Sequence, residues 1–118
     1  EKKIDIIPYL KIVKLNGTVD LNPFKIEFIT LTHSIIEPNG LKIDTPAGTI
    51  FHTGDWKVDP NPLVGKNINQ EKLIEIGDSG VLAMICDSTN VFSIGRAGSE
   101  ADVRKNMLNV MSRQKKKF

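Results

Sequence analysis

Phe24-Lys25-Ile26-Glu27-Phe28 alternates apolar and charged residues, the period of a β-strand with one face buried and the other in water. Ile29 to Leu31 prolongs that run, which stops near His33. Upstream, Lys11 to Leu15 is a short strand candidate, followed by the turn signal Asn16-Gly17. Downstream, Pro38-Asn39-Gly40 predicts a tight loop. Leu41 to Thr45 and Thr49 to Thr53 are then two strands around Pro46-Ala47-Gly48, the pattern of a hairpin.

Beyond Asp55 the pattern changes. Asp59-Pro60-Asn61-Pro62 cannot continue a strand or helix, because each proline lacks an amide donor and fixes its own φ. Asn69 is placed to cap a short helix over Gln70 to Ile76, with Gly77 as its stop. Val81 to Ile85 is continuously apolar, which predicts a strand buried on both faces. The polar run Asp87-Ser88-Thr89-Asn90 ends it. Ser99 and Asp102 have the spacing of a capping box, so a helix is expected from about Glu100 to Ser112. Val103, Met107, Leu108 and Met111 would share its apolar face. Strands, a long loop, a short helix, a buried strand and a last helix make an α/β or α+β pattern.

Composition excludes several functions. The 118 residues hold 16 Lys and Arg against 14 Asp and Glu, a net charge of +2 that does not suit a stand-alone nucleic-acid-binding module. The basic cluster Arg113, Lys115, Lys116 and Lys117 has the character of a solvated terminus. The seven aromatic residues form no stacking stripe. The single cysteine, Cys86, rules out an internal disulfide framework and a cysteine-built zinc cluster. Following an apolar run, it is expected to be an inert core thiol in a reducing, cytoplasmic compartment. No apolar run approaches the roughly 20 residues that span a bilayer, so no membrane is expected as a partner.

Two stretches place unusual chemistry at strand ends: Thr32-His33-Ser34, and His52-Thr53-Gly54-Asp55. Sheets present reactive groups where rigid strands open into loops. Imidazole nitrogen and carboxylate oxygen are also donors that catalytic zinc accepts. Taken singly, each stretch has an ordinary explanation. A histidine at a strand end more often serves a structural hydrogen bond, and an aspartate after glycine more often forms a turn.

The longer surroundings weigh on the other side. Residues 32–40 (Thr-His-Ser-Ile-Ile-Glu-Pro-Asn-Gly), 46–57 (Pro-Ala-Gly-Thr-Ile-Phe-His-Thr-Gly-Asp-Trp-Lys) and 86–90 (Cys-Asp-Ser-Thr-Asn) resemble successive motifs of ribonuclease J-type hydrolases. These have a metallo-β-lactamase fold with an inserted β-CASP domain. Val19-Asp20-Leu21, Asp59-Pro60 and Ser99-Glu100-Ala101-Asp102 fall in the order that this family gives, so the likeness runs from about Leu10 to Asn109. It implies a partial αββα sandwich over residues 1–98 and the start of a β-CASP-like region over residues 99–118.

By the same resemblance His33 matches a histidine ligand of one metal ion, and Asp55 matches the carboxylate that bridges two. The family's pair of zinc ions hydrolyses RNA, both endonucleolytically and from the 5′ end. Asp87 and Ser88 would stand behind the ligands as supporting groups. The family's His-x-His-x-Asp-His motif is absent and is expected upstream of Glu1; a further histidine is expected after the β-CASP insertion, beyond Phe118. Ile36 departs from the family, which commonly has proline there. With two histidines in the chain, and His52 not expected to ligate, His33 and Asp55 supply two donors where a catalytic zinc typically takes three. The isolated chain is therefore expected to be inactive, exposing apolar surface and associating with the rest of the fold or with copies of itself. Two other readings stand beside this one: a non-catalytic remnant of a degraded or split gene, and a hydrolase of the same fold acting on another substrate.

Overall fold

The computed structural model describes residues 5–114. After a single 3-10 turn (Ile7–Tyr9) come β1 (Thr18–Leu21), β2 (Phe24–Thr30), β3 (Asn39–Thr45), β4 (Gly48–His52), α1 (Gln70–Asp78), β5 (Ala83–Ile85) and α2 (Glu100–Arg113). The five strands form one sheet in the order β1-β2-β3-β4-β5. The first four are an antiparallel meander, and β5 joins β4 in parallel. A parallel neighbour needs a crossover, and the loop after β4 together with α1 supplies it. This is the mixed α+β architecture expected of part of an α/β fold.

Register assigns each side chain to a face. Ile29 pairs with Gly40, and Lys42 with Phe51, so Glu27, Ile29, Gly40, Lys42 and Phe51 share one side. On that side α1 packs. Ile29 (1% exposed), Phe51 (7%) and Ile76 of α1 (3%) form the core, with Leu73 and Val81 beside them. Burying one such isoleucine stabilises by about 1.5 to 3 kcal/mol, and Ile76 packed against Ile29 and Phe51 is what seats the helix. Lys72 adds a tether, with its ammonium 3.2 Å from Glu27 on β2 and 3.1 Å from Glu75. Gly40 leaves room for Leu31 and the Phe51 ring, because a Cβ there would lie 3.0 Å from Leu31, 3.1 Å from the Phe51 ring and 3.1 Å from the His52 carbonyl.

The opposite side is apolar too. Ile26, Ile43 and Ile50 are consecutive register partners across β2, β3 and β4, and all three are half-buried. An apolar row on each side is what a sheet inside a layered sandwich requires.

Several expectations from the sequence are corrected. Lys11 to Leu15 forms no strand; β1 begins at Thr18. The Asn16-Gly17 turn does form, with Asn16 at φ 57, but it serves β2: the Asn16 Oδ1 accepts from the Thr30 amide (3.1 Å) and hydroxyl (2.9 Å). Asn39 and Gly40 belong to β3 rather than to a loop. Gly77 does not stop α1, which continues to Asp78 and is capped by Ser79; the expected start at Asn69 is present, its Oδ1 accepting from the Lys72 amide at 3.0 Å.

The strand expected to be buried on both faces shrinks to Ala83–Ile85 and is exposed along its length, with Met84 56% and Ile85 52% exposed. Apolar runs report what a segment tends to bury, and among the described residues β5 has β4 on one edge and no layer closing over it. For the same reason Cys86 is an exposed free thiol rather than a core residue. The capping box at Ser99 and Asp102 is present, yet α2 buries no residue, and Val103, Met107, Leu108 and Met111 all face outward. Lys115, Lys116 and Lys117 of the basic cluster lie outside the described residues. Among those described, no helix is long and apolar enough to cross a membrane.

Candidate metal-binding edge

β2 and β4 both run antiparallel to β3, so they point the same way, and β5 runs parallel to β4. The C-terminal ends of β2, β4 and β5 therefore emerge at one edge of the sheet. His33 follows the end of β2, Asp55 the end of β4 and Asp87 the end of β5. Three strand tips thus bring one imidazole and two carboxylates to the same edge.

Two buried threonines hold the tips in place. Thr53 is fully buried; its amide donates to the Ile85 carbonyl (2.9 Å), and its hydroxyl donates to the Gly54 carbonyl (2.8 Å) while accepting from the Asp87 amide (3.2 Å). Thr32, 2% exposed, links the other side. Its carbonyl accepts from the Lys57 amide (2.8 Å), its hydroxyl donates to the Lys57 carbonyl, and that hydroxyl accepts from the Asp59 amide (3.1 Å). The residue before His33 is in this way fastened to the loop that carries Asp55.

Gly54 makes the turn that presents Asp55. Its φ of 59 lies in the left-handed region that suits glycine, and a Cβ there would come 3.2 Å from the Asn39 carbonyl. The Gly54 amide donates to Nδ1 of His52 at 2.9 Å. His52 is thus an acceptor that steadies the turn. Asn39, at the start of β3 on this edge, donates from Nδ2 to the Glu37 carbonyl (2.9 Å), and its buried Oδ1 is left without a partner by the described residues.

The donors differ in environment. Asp55 is exposed, and His33 is half-buried with Nδ1 3.5 Å from the Ser34 hydroxyl. Asp87 is held as a carboxylate: the Thr89 hydroxyl (2.5 Å) and amide (2.9 Å) both donate to Oδ1, lowering its pKa. Two clefts of about 590 and 520 Å³ lie elsewhere. The first runs between residues 57–60 and 96–99, and the second between α1, Trp56 and β5.

Imidazole and carboxylate suit a borderline-soft cation in kind. They fall short in number, since among the described residues no group of three or more His, Cys, Asp or Glu side chains is arranged to hold an ion. The sequence singles out His33 and Asp55 and gives less notice of the residues that fasten their backbone. Thr32, Thr53 and Asp59 are buried polar groups, and the signal available for two of them was a threonine within two positions of each donor.

The fold and its edge define the class: an α+β sheet protein that brings an imidazole and two carboxylates to one strand-end edge. Comparison with known sequences gives the particular family. The chain is 38% identical over 112 residues to a ribonuclease J of Sinorhizobium meliloti, covering 95% of this chain and 20% of that protein. It is 40% identical over 109 residues to a ribonuclease J of Corynebacterium glutamicum, covering 91% of this chain and 15% of the relative. It is 41% identical over 90 residues to one from Thermus thermophilus, covering 76% of this chain. No protein-family model matches. The chain belongs to the ribonuclease J family, and it spans a fifth or less of the length of the first two relatives.

Proposed function

We propose that the protein carrying this stretch is a metal-dependent ribonuclease that hydrolyses RNA phosphodiester bonds, and that His33 and Asp55 are two of its metal ligands. The observation that supports this most is the pair itself. An imidazole and a carboxylate, 22 positions apart in family-like sequence, follow two strands that point the same way to one edge. In this reading His33 offers a ring nitrogen to one zinc ion, and Asp55 offers its two oxygens to a pair. Two zinc ions so held would polarise a phosphodiester and lower the pKa of a shared water.

The other residues on the edge orient the donors. His52 and Thr53 hold the Gly54 turn so that Asp55 projects from a fixed base. Thr32 fixes the backbone on which His33 sits. The remaining ligands, in this reading, belong to a His-x-His-x-Asp-His motif and to a histidine beyond a β-CASP insertion, with residues 1–98 in the metallo-β-lactamase domain and residues 99–118 opening the insertion. RNA is the substrate, the cytoplasm the compartment, and the half-exposed isoleucine row the face that meets the rest of the fold or a second copy.

The donor count favours a second reading for the 118-residue chain alone, that of a non-catalytic segment. The test is nuclease activity on 5′-labelled single-stranded RNA, measured on the complete protein and on the chain by itself, with and without added zinc. The expected result is metal-dependent cleavage by the complete protein, lost in His33→Ala and in Asp55→Asn, and none by the chain. Cleavage unaffected by either substitution would remove both residues from the site.

A further inference from the structure

We propose that Asp59 is a positioning residue that clasps the start of α2 to the metal-binding edge, so that the direction in which α2 leaves the sheet is set by the backbone that carries His33 and Asp55. The functional meaning rests on the ribonuclease reading; the clasp itself does not.

The direction of α2 needs an explanation, because the helix buries no residue. Apolar packing, which seats α1, does not seat α2. A reciprocal pair of hydrogen bonds does. One carboxylate oxygen of Asp59 accepts from the Glu100 amide (3.0 Å), the first amide of α2, and the other accepts from the Asn61 amide (3.0 Å). In return the Glu100 carboxylate accepts from the Leu63 amide (3.1 Å). Asp59 is 4% exposed. The two amides, Glu100's first, also lower its pKa, with the Lys57 charge contributing and Asp102 opposing.

The same residue is anchored on its other side. The Asp59 amide donates to the Thr32 hydroxyl (3.1 Å), and Lys57 pairs with Thr32 through both its amide and its carbonyl. A continuous path therefore runs from Glu100 through Asp59 to Thr32, the neighbour of His33. Each link is a hydrogen bond between segments far apart in sequence: 41 positions for Glu100 to Asp59 and 27 for Asp59 to Thr32. An aspartate that only turned the loop before Pro60 would have no need of the first link.

Coupling of this kind is reciprocal, so it is read from both ends. Amide hydrogen exchange is measured by NMR on the 118-residue chain. Thr32→Val deletes the hydroxyl while keeping shape, and it touches nothing in α2. It should speed exchange at the Glu100 amide about tenfold, whereas Thr32→Ser, which keeps the oxygen, should stay within about twofold of the unaltered chain. From the other end, Glu100→Pro removes the clasping amide at a helix position where proline is well tolerated. It should speed exchange at the Asp59 and Lys57 amides while the sheet amides of Ile26, Phe28 and Ile43 keep their protection.

Glu100 exchange unchanged in Thr32→Val, with Lys57 and Asp59 loosened, overturns the proposal. If Thr32→Val unfolds the sheet as well, Glu100→Pro decides alone, and unaltered Asp59 and Lys57 amides refute the coupling. A clasp that holds while the nuclease assay fails would leave the positioning role and remove the ribonuclease reading.

Discussion

Replacing Thr53 by valine tests how the edge is held together. The residue is fully buried, and its hydroxyl serves two tips at once, donating to the Gly54 carbonyl at 2.8 Å and accepting from the Asp87 amide at 3.2 Å. Valine has nearly the same shape, so no cavity is created and the change isolates the hydrogen bonds. A buried donor or acceptor that loses its partner costs about 1 to 3 kcal/mol. Two groups lose one here, but Gly54 and Asp87 lie close enough to the surface for water to replace part of the loss. The expected cost is therefore about 2 kcal/mol rather than the sum.

Urea unfolding followed by circular dichroism reads this directly. With a slope of about 1 to 2 kcal/mol/M, the midpoint should fall by about 1 to 2 M with the slope unchanged. Thr53→Ser, which keeps the hydroxyl and loses a methyl, should cost less than half as much. The backbone amides of Gly54, Asp55 and Asp87 should shift in Thr53→Val and stay near their original positions in Thr53→Ser. Equal midpoints for the two variants would mean that the hydroxyl does not join the β4 and β5 tips, and the reasoning about the edge would fail.

Other substitutions test the rest of the account. Ile29→Ala, in the core with Phe51 and Ile76, should destabilise by about 2 to 5 kcal/mol in the same unfolding assay; a change under 0.5 kcal/mol would show that α1 is not seated there. Asp44 accepts from Lys42 (2.6 and 2.7 Å) and from Thr49 (2.8 Å), which lower its pKa below 3.8, Lys42 contributing most. A carboxylate lowered in the folded state adds stability that is present above the unfolded value and lost as pH falls through the folded one. Thermal unfolding between pH 5 and pH 2, roughly the window for such a group, should therefore show a smaller acid loss in Asp44→Asn, and an identical acid profile would contradict the assignment. His52→Leu removes the acceptor of the Gly54 amide; exchange at that amide should rise severalfold, while a protected Gly54 would show another acceptor.

Much of the architecture was legible because it is local. The strand over Phe24 to Phe28, the Pro46-Ala47-Gly48 turn and the caps at Asn69 and Ser99 each depend on a few neighbouring residues, and each appears where the sequence places it. Burial was less legible, because it depends on partners. Leu82 to Ile85 and the stripe on α2 are apolar enough to be covered, yet they lie open among the described residues. The strand candidate at Lys11 to Leu15 failed for a related reason, since β-propensity is realised through pairing and β2 pairs with Thr18–Leu21 instead.

The candidate site divided in the same way. His33 and Asp55 were visible as reactive types at strand ends, and family-like surroundings raised them above turn formers. The groups that aim them were hidden because each acts across the sheet. Thr32 reaches Asp59, Thr53 reaches Asp87, and Asp59 reaches Glu100. No periodicity in a single segment encodes such pairings.

The measurement closest to the central claim is paramagnetic broadening of the chain's NMR signals by added manganese, a divalent ion that accepts the same nitrogen and oxygen donors. Broadening should begin at His33, Asp55 and Asp87 together and disappear there in Asp55→Asn while other signals stay as they were. Broadening that starts at the carboxylates of α1, or that reaches His33 and Asp55 at different metal concentrations and survives the substitution, would show that these strand tips do not share an ion.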